Sequence, residues 1–323
     1  MWRLIARRLA QSVVVVFLVT TATFVLIRTA PGDAVAAKAA TANMSAAVRQ
    51  QMRDRLALDR PFAEQYAIYL GRVARGDFDY SLSSEEQVST LLARAIPNTL
   101  ILVGVALLAA FVLGVALGVV QASRQGGWFD RIATLAGVVF YSMPSFWLAL
   151  VVMLLFAVHW GLFPTSAMCT AEFCGEPASL SSFGDLAKHL VLPAGTLALV
   201  LSAGIARYQR SAVLDTMHED FIRTARAKGV GERAVLWHHI LRNALLPVIT
   251  LIGFALPALL GGAVFVEKIF AWPGMGELAV KAVSARDYPV VLAVAIVGSA
   301  LVCVGSLVAD LLTAWANPRA RSS

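Results

Sequence analysis

The chain has 323 residues, 59% of them hydrophobic and only 15% charged, with a formal net charge of +7 and a pI near 9.7. Soluble domains average about 45–50% apolar and about 25% charged residues, so this composition excludes a disordered chain and disfavours a soluble enzyme. Six stretches carry no Asp, Glu, Lys or Arg: 9–27, 99–120, 132–158, 190–206, 248–266 and 290–309. Each is close to the ~20 residues that a helix needs to cross the hydrocarbon core, where a central charge costs about 2.5–3.5 kcal/mol. A spanning strand needs only about 9–11 alternating residues, and the run Val13-Val14-Val15-Val16-Phe17-Leu18 does not alternate. The expected fold is therefore all-α, a polytopic membrane protein with six transmembrane helices.

Residues 1–28 form an N-terminal segment and the first span. Arg3, Arg7 and Arg8 ahead of it and Ala34-Val35-Ala36 after it also suit a cleaved signal peptide, although its charge-free run of 19 residues exceeds the ~7–15 usual for such a region. Residues 29–94 read as an external helical cap. Ser45 is placed to cap a helix in which Val48, Met52 and Leu56 recur every four residues. After Pro61 a second stripe follows, Phe62, Tyr66, Tyr69, Leu70 and Val73. The cap is expected to be a lid packed on the membrane domain, which is compatible with a further contact to a partner outside.

Residues 95–317 make a five-span core, followed by a tail at 318–323. In the second span Ala106, Ala110, Gly114 and Gly118 form a small-residue face that lets another helix approach closely. Pro144 in the third span, and Pro257 with Gly253, Gly261 and Gly262 in the fifth, are expected to interrupt the helical ladder. Such breaks suit a translocation pathway, and equally a plain kink.

An even number of spans puts both termini on one side of the membrane. Short loops on that side carry 14 Lys and Arg, against 4 on the other, so the positive-inside rule makes both termini cytoplasmic. Topology thus accounts for the basic pI, and no nucleic-acid partner is expected. Cys169 and Cys174 share the external loop 159–189, whose oxidising surroundings would allow a disulfide. The alternatives are two unpaired thiols, or a metal site with His159, His189 or Met168 that lacks standard zinc spacing.

No nucleotide-binding Gly-x-x-x-x-Gly-Lys-Ser/Thr loop, His-Glu-x-x-His helix or Gly-x-Ser-x-Gly elbow occurs. No catalytic, cofactor-binding or metal residue is assigned, and no cofactor is expected on this chain. The charge-free spans offer no proton relay, which disfavours a proton-coupled secondary transporter and an intramembrane enzyme. Uphill transport would draw its energy from another chain.

The loop 207–247 is the largest internal segment, and its centre reads Asp220-Phe221-Ile222-Arg223-Thr224-Ala225-Arg226-Ala227-Lys228-Gly229. Acids lead, bases follow and glycine stops the helix. Phe221, Ile222 and Ala225 leave an apolar strip suited to a partner's groove or to a membrane surface.

Residues 220–229 with Leu241-Arg242-Asn243-Ala244-Leu245-Leu246-Pro247 resemble the EAA loop of the permease subunits of bacterial ABC importers, in the version of the dipeptide, oligopeptide and nickel group. Arg223-Thr224-Ala225 stands where the general motif has Glu-Ala-Ala, a departure that points away from sugar permeases. The resemblance continues in Pro31-Gly32-Asp33, Gly76-Asp77-Phe78-Asp79-Tyr80-Ser81, Pro97-Asn98-Thr99-Leu100, Val266 through Gly276, and Arg286-Asp287-Tyr288-Pro289-Val290-Val291. It implies a permease in the bacterial inner membrane that imports short peptides by alternating access, or else nickel, glutathione or another small solute. The implied partners are a second homologous permease, two ATP-binding cassette subunits that hold ATP and Mg and carry out the hydrolysis, and an extracytoplasmic solute-binding protein. Asp220 through Gly229 would be the ATPase-coupling loop.

Overall fold

The computed structural model describes residues 2–29, 45–174 and 179–316. Pro31-Gly32-Asp33, Ala34-Val35-Ala36 and the tail 318–323 lie outside them. The helices are α1 (Trp2–Thr29), α2 (Ala46–Arg55), α3 (Phe62–Val73), α4 (Val88–Ser123), α5 (Trp128–Ser142), α6 (Ser145–Val152), α7 (Leu180–Met217), α8 (Asp220–Ala227), α9 (Leu241–Ile269), α10 (Met275–Ser284) and α11 (Tyr288–Ala316). Among the described residues there is no strand, only a bridge between Tyr80 and Gln87. Among the described residues five helices are long and apolar enough to cross a membrane, or six if the bent pair α5–α6 is one span.

That pair turns by 108°. Met143 is extended because it precedes a proline, and Pro144 opens α6. The π-helical turn Met153–His159 then continues the segment. Pro257 behaves differently from expectation. α9 is continuous through it, as α4 is through Pro97 and α7 through Pro193. A long apolar helix held by neighbours tolerates the lost backbone bond; Pro144 differs in that two helices meet there at a steep angle.

The chain divides into two compact units. In the unit of residues 99–272 and 302 onward, Leu102, Val103, Ala106, Ala149, Leu197, Val266 and Trp272 form the largest buried cluster. The small-residue face of α4 is part of this unit and packs on α7. A Cβ at Gly114 would stand 2.6 Å from Ile205 Cβ, and one at Gly118 would stand 2.6 Å from the Ala206 carbonyl oxygen. No real side-chain contact is that short, so the crossing requires glycine at both positions.

The unit of residues 2–98 and 273–301 contains α1, the two cap helices and α10. Phe24 of α1 is fully buried against Phe62, Tyr66 and Tyr69 of α3, with ring centroids 5.1–5.6 Å apart. The stripe read from α3 is thus the face that packs. Ser45 caps α2, accepting the Val48 N–H at 3.3 Å, but α2 buries no residue and Val48 stays 41% exposed. Its stripe is too sparse to form a core face. Nearby, the Arg53 guanidinium hydrogen-bonded to Asp59 holds that carboxyl below its ordinary range. Val88, Leu92 and Ala95 pack with Met275, Ala282, Val290 and Ala293 in a second cluster.

Candidate functional site: the segment 207–247

α7 ends at Met217, and a sharp turn through His218 and Glu219 starts α8. Asp220 in its first turn and Arg226 in its last complement the helix dipole. Gly229 closes it with φ +80°, donating its N–H to the Arg226 carbonyl at 2.9 Å while Val230 donates to Ala225 at 3.2 Å. Beyond its immediate chain neighbours, no described atom lies within 4 Å of where a Gly229 Cβ would be. A side chain there would suffer only from the left-handed backbone, at about 1–2 kcal/mol.

The apolar strip read from the sequence divides in two. Ile222 is fully buried and Ala225 is 8% exposed, packed with Ala122, Val213, Val235, Ile240 and Ala244 of the same chain. Phe221 is 43% exposed. The reason is geometric: Ile222 points inward, Ala225 lies about 60° around the helix from it, and Phe221 lies about 40° further round, at the edge of the buried face. Asp220, Phe221, Arg223, Thr224, Ala227 and Lys228 therefore make up the outward surface, and Ile222 and Ala225 anchor the helix instead of facing a partner. Arg226 reaches Glu232 at 2.9 and 3.1 Å, an exposed pair worth about 0–1 kcal/mol.

One turn before this cluster, Arg210 of α7 donates from Nε and Nη2 to the two oxygens of Asp130, each at 2.8 Å. The Gly126 N–H adds a third bond at 3.0 Å. This fork ties the turn before α5 to α7. Gln209 beside it is fully buried, and neither its amide nitrogen nor its oxygen has a hydrogen-bond partner. Asp130 and Arg210 were visible in the sequence only as loop charges flanking charge-free stretches, and nothing in that pattern paired them.

The family-like motifs away from this segment turn out to be polar ties. Thr99 Oγ1 donates to the buried Glu267 at 2.7 Å, and the Trp272 N–H donates to the Glu267 carbonyl at 2.8 Å. In the other unit, Oδ2 of the fully buried Asp287 accepts from Ser81 Oγ, Ser83 N–H and Ser83 Oγ at 2.5, 2.9 and 2.7 Å. Asn98 there donates to the Pro273 carbonyl at 2.9 Å. Cys169 and Cys174 lie side by side at disulfide geometry, Cα atoms 5.5 Å apart. His189 Nδ1 is 2.9 Å from the Asp185 carbonyl oxygen.

Residues 114–322 match the model of the binding-protein-dependent transport system inner membrane component, and residues 1–103 match that family's N-terminal membrane component. The chain belongs to this family. It is accordingly a transport permease subunit and a multi-pass protein of the bacterial inner membrane. It is 39% identical over 318 residues to the oligopeptide transport system permease protein AppB of Bacillus subtilis, covering 98% of both chains. Identity is also 39% over 329 residues to the di/tripeptide transport system permease protein DppB of Pseudomonas aeruginosa, again 98% of each. The glutathione transport system permease protein GsiC of Pectobacterium atrosepticum is 36% identical over 315 residues, 98% of this chain and 97% of that one. Among solved structures, an amino acid ABC transporter crystallised with histidines shares the fold at a TM-score of 0.50 and 16% identity, over 70% of this chain and 94% of that one.

The Asp130–Arg210 fork makes a direct prediction for this permease. Asp130→Ala should lower the stability of the detergent-purified protein by about 2–3 kcal/mol, because Arg210 loses its partner in a partly buried site. Arg210→Lys should cost less, since charge persists without the fork. Unchanged melting midpoints in both variants would show that the pair contributes nothing.

Proposed function

We propose that this chain is one permease half of an ATP-driven importer of short peptides, di- and oligopeptides, delivered by an extracytoplasmic binding protein. The observation that carries the cargo class is the near end-to-end likeness to AppB and DppB, relatives named for oligopeptides and for di/tripeptides. The likeness to GsiC supports a second reading within the class, import of glutathione, itself a small peptide. A second homologous permease completes the pathway, and two ATP-binding cassette subunits bind ATP and Mg and hydrolyse the nucleotide. Alternating access then follows from ATP-driven closure of those subunits, which biases the cavity between the permeases inward or outward.

In this reading the chain crosses the membrane six times with both termini in the cytoplasm, the bent pair α5–α6 counting as one span. The 14-to-4 bias of Lys and Arg in short loops supports it. Residues 29–94 form the external cap, 95–317 the five-span core with its coupling loop at 207–247, and 318–323 the cytoplasmic tail. Cys169 and Cys174 then face the oxidising side and are paired in the mature protein. A reporter active only outside should work when fused after Gly76 or Ser182 and fail after Gly229, and unreduced peptide maps should contain a linked 169–174 fragment. The reverse reporter pattern would contradict the topology, and alkylatable thiols at both cysteines in fresh membranes would contradict the bridge.

Residues 220–229 are the contact to the ATPase. The support is positional: α8 is anchored from inside by Ile222 and Ala225 and presents Phe221 outward between charged neighbours, the arrangement that seats a short helix in a groove. Phe221→Asp should leave insertion and stability unchanged while cargo-stimulated ATP hydrolysis and uptake collapse together. Gly229→Val should weaken both in the same direction through about 1–2 kcal/mol of backbone strain. Wild-type uptake and coupling in a normally inserted Phe221→Asp protein would show that α8 is only a surface connector. The cargo reading itself stands or falls on competition of labelled dipeptide uptake by glutathione and by unlabelled tripeptides.

A further inference from the structure

The outer end of α7 is more apolar on its exposed side than a segment in water needs to be. The charge-free stretch of this helix, 190–206, has 17 residues and rises about 25 Å, short of the ~30 Å hydrocarbon core. Its inner limit is set by the exposed Arg207, so the missing length lies at the outer end, in the residues that lead from Ser179 into the stretch. There Leu180, Phe183, Ala187 and Val191 recur at helical spacing, and all are exposed, Leu180 at 91% and Phe183 at 60%. This stripe runs without a break into the charge-free stretch. From Phe183 to Ala206 the helix covers about 35 Å, which puts Phe183 beyond the core but inside the ~40–45 Å that includes the headgroups.

The opposite face of the same turns is already occupied. Leu186 and Leu190 belong with the main buried cluster, as do Phe163 and Met168 of the preceding loop. Polar groups of that loop are met from within. Asp185 accepts from the Thr170 N–H at 2.7 Å and from Thr170 Oγ1 at 2.6 Å, Ser179 and Ser182 cap each other, and the Ala167 N–H donates to the Phe270 carbonyl at 2.9 Å. Internal satisfaction of this kind is what a segment needs in order to leave water. Trp160 and Leu162 are turned outward, both exposed just past the charge-free stretch 132–158. Tryptophan is enriched at the headgroup level, and the exposed Lys188 has a stem long enough to carry its ammonium to lipid phosphates. Charge separates this segment from the cap: residues 159–189 carry four charged side chains in 31, whereas 29–94 carry 16 in 66. The cap therefore has the charge density of a water-facing surface, about 25%, and this segment has not.

We propose that residues 159–174 and 179–189 are seated in the headgroup layer of the outer leaflet, with Trp160, Leu162, Leu180 and Phe183 inserted toward the acyl chains. Lipid, and not the solute-binding protein, covers this face. The choice of leaflet rests on the topology proposed above, whereas the insertion itself rests on the apolar stripe.

The test is fluorescence of the assembled full-length transporter in nanodiscs of phosphatidylethanolamine and phosphatidylglycerol. An NBD label is placed on Phe183→Cys or, separately, on Leu180→Cys, each in a Cys303→Ser background. Both positions are exposed, so neither change disturbs the core. Ala63→Cys, exposed on the cap, carries the same label as the reference. Labels at 180 and 183 should emit to the blue of the reference, lose intensity to lipid that bears a nitroxide near the top of its acyl chain, and resist aqueous iodide. Excess loaded binding protein should change none of this. Iodide quenching as strong as at the reference would overturn the proposal. So would labels that are wet in the transporter alone and become shielded when the binding protein is added, because that marks a protein-docking surface. The two readings fail separately: iodide quenching beside an active reporter after Ser182 overturns the insertion alone, and lipid quenching beside a silent reporter overturns the outer leaflet together with the topology.

Discussion

The close approach of α4 and α7 is the constraint on which the functional segment depends. Gly114 and Gly118 allow the two backbones to meet where any Cβ would stand 2.6 Å from Ile205 or Ala206. Small-residue crossings of this kind are how helices gain van der Waals contact in lipid, where apolar side chains have no water to escape. The crossing fixes the position of the distal end of α7, and the features below it follow in order along that helix. Arg210 grips Asp130, Val213 enters the buried cluster, and the chain turns at His218 into α8.

Because Ile222 and Ala225 belong to that same cluster, α8 is built as an extension of the membrane helices. It shares a core with Ala122 at the end of α4, with Val235 and Ile240 leading into α9, and with Ala244 in the first turn of α9. A force applied to the outward face of α8 is therefore carried into three long helices by close-packed side chains, which transmit displacement because interiors have little free volume to absorb it. In the proposed reading this is how closure of an ATPase would reach the pathway. In that reading the charged outward residues of α8 would supply orientation, and Phe221 the apolar contact. A connector held only by Arg226 and Glu232 would be screened by salt and would transmit little.

That the charge-free stretches lie in long apolar helices was legible in the sequence, because a charge-free run of about 20 residues has few physical explanations; the bend within 132–158 was not. The small-residue face of α4 and the glycine stop of α8 were legible for the same kind of reason, since each reflects a constraint on one element alone. Pairings were harder. Glu267 with Thr99, Asp287 with Ser81 and Ser83, and Asp130 with Arg210 join residues 80 to 206 positions apart, and periodicity carries no information on which loop charges meet. The strip Phe221, Ile222, Ala225 was recognised as apolar, but its direction was open until the helices around it were placed. Pro257 shows the opposite limit: the residue type suggested a break, and α9 runs through it unbroken.

The central claim is that α8 moves as one body with the ends of the membrane helices. It is tested most directly by double electron–electron resonance between spin labels at Glu219, just ahead of α8, and Trp128, both exposed and both in the same compact unit. The labels would be placed in the assembled transporter, with measurements in nucleotide-free and ATP-bound states. The account predicts a single distance distribution that is the same in both states. A second population, or a shifted distance on ATP binding, would show that α8 hinges independently of its anchor and would contradict the account.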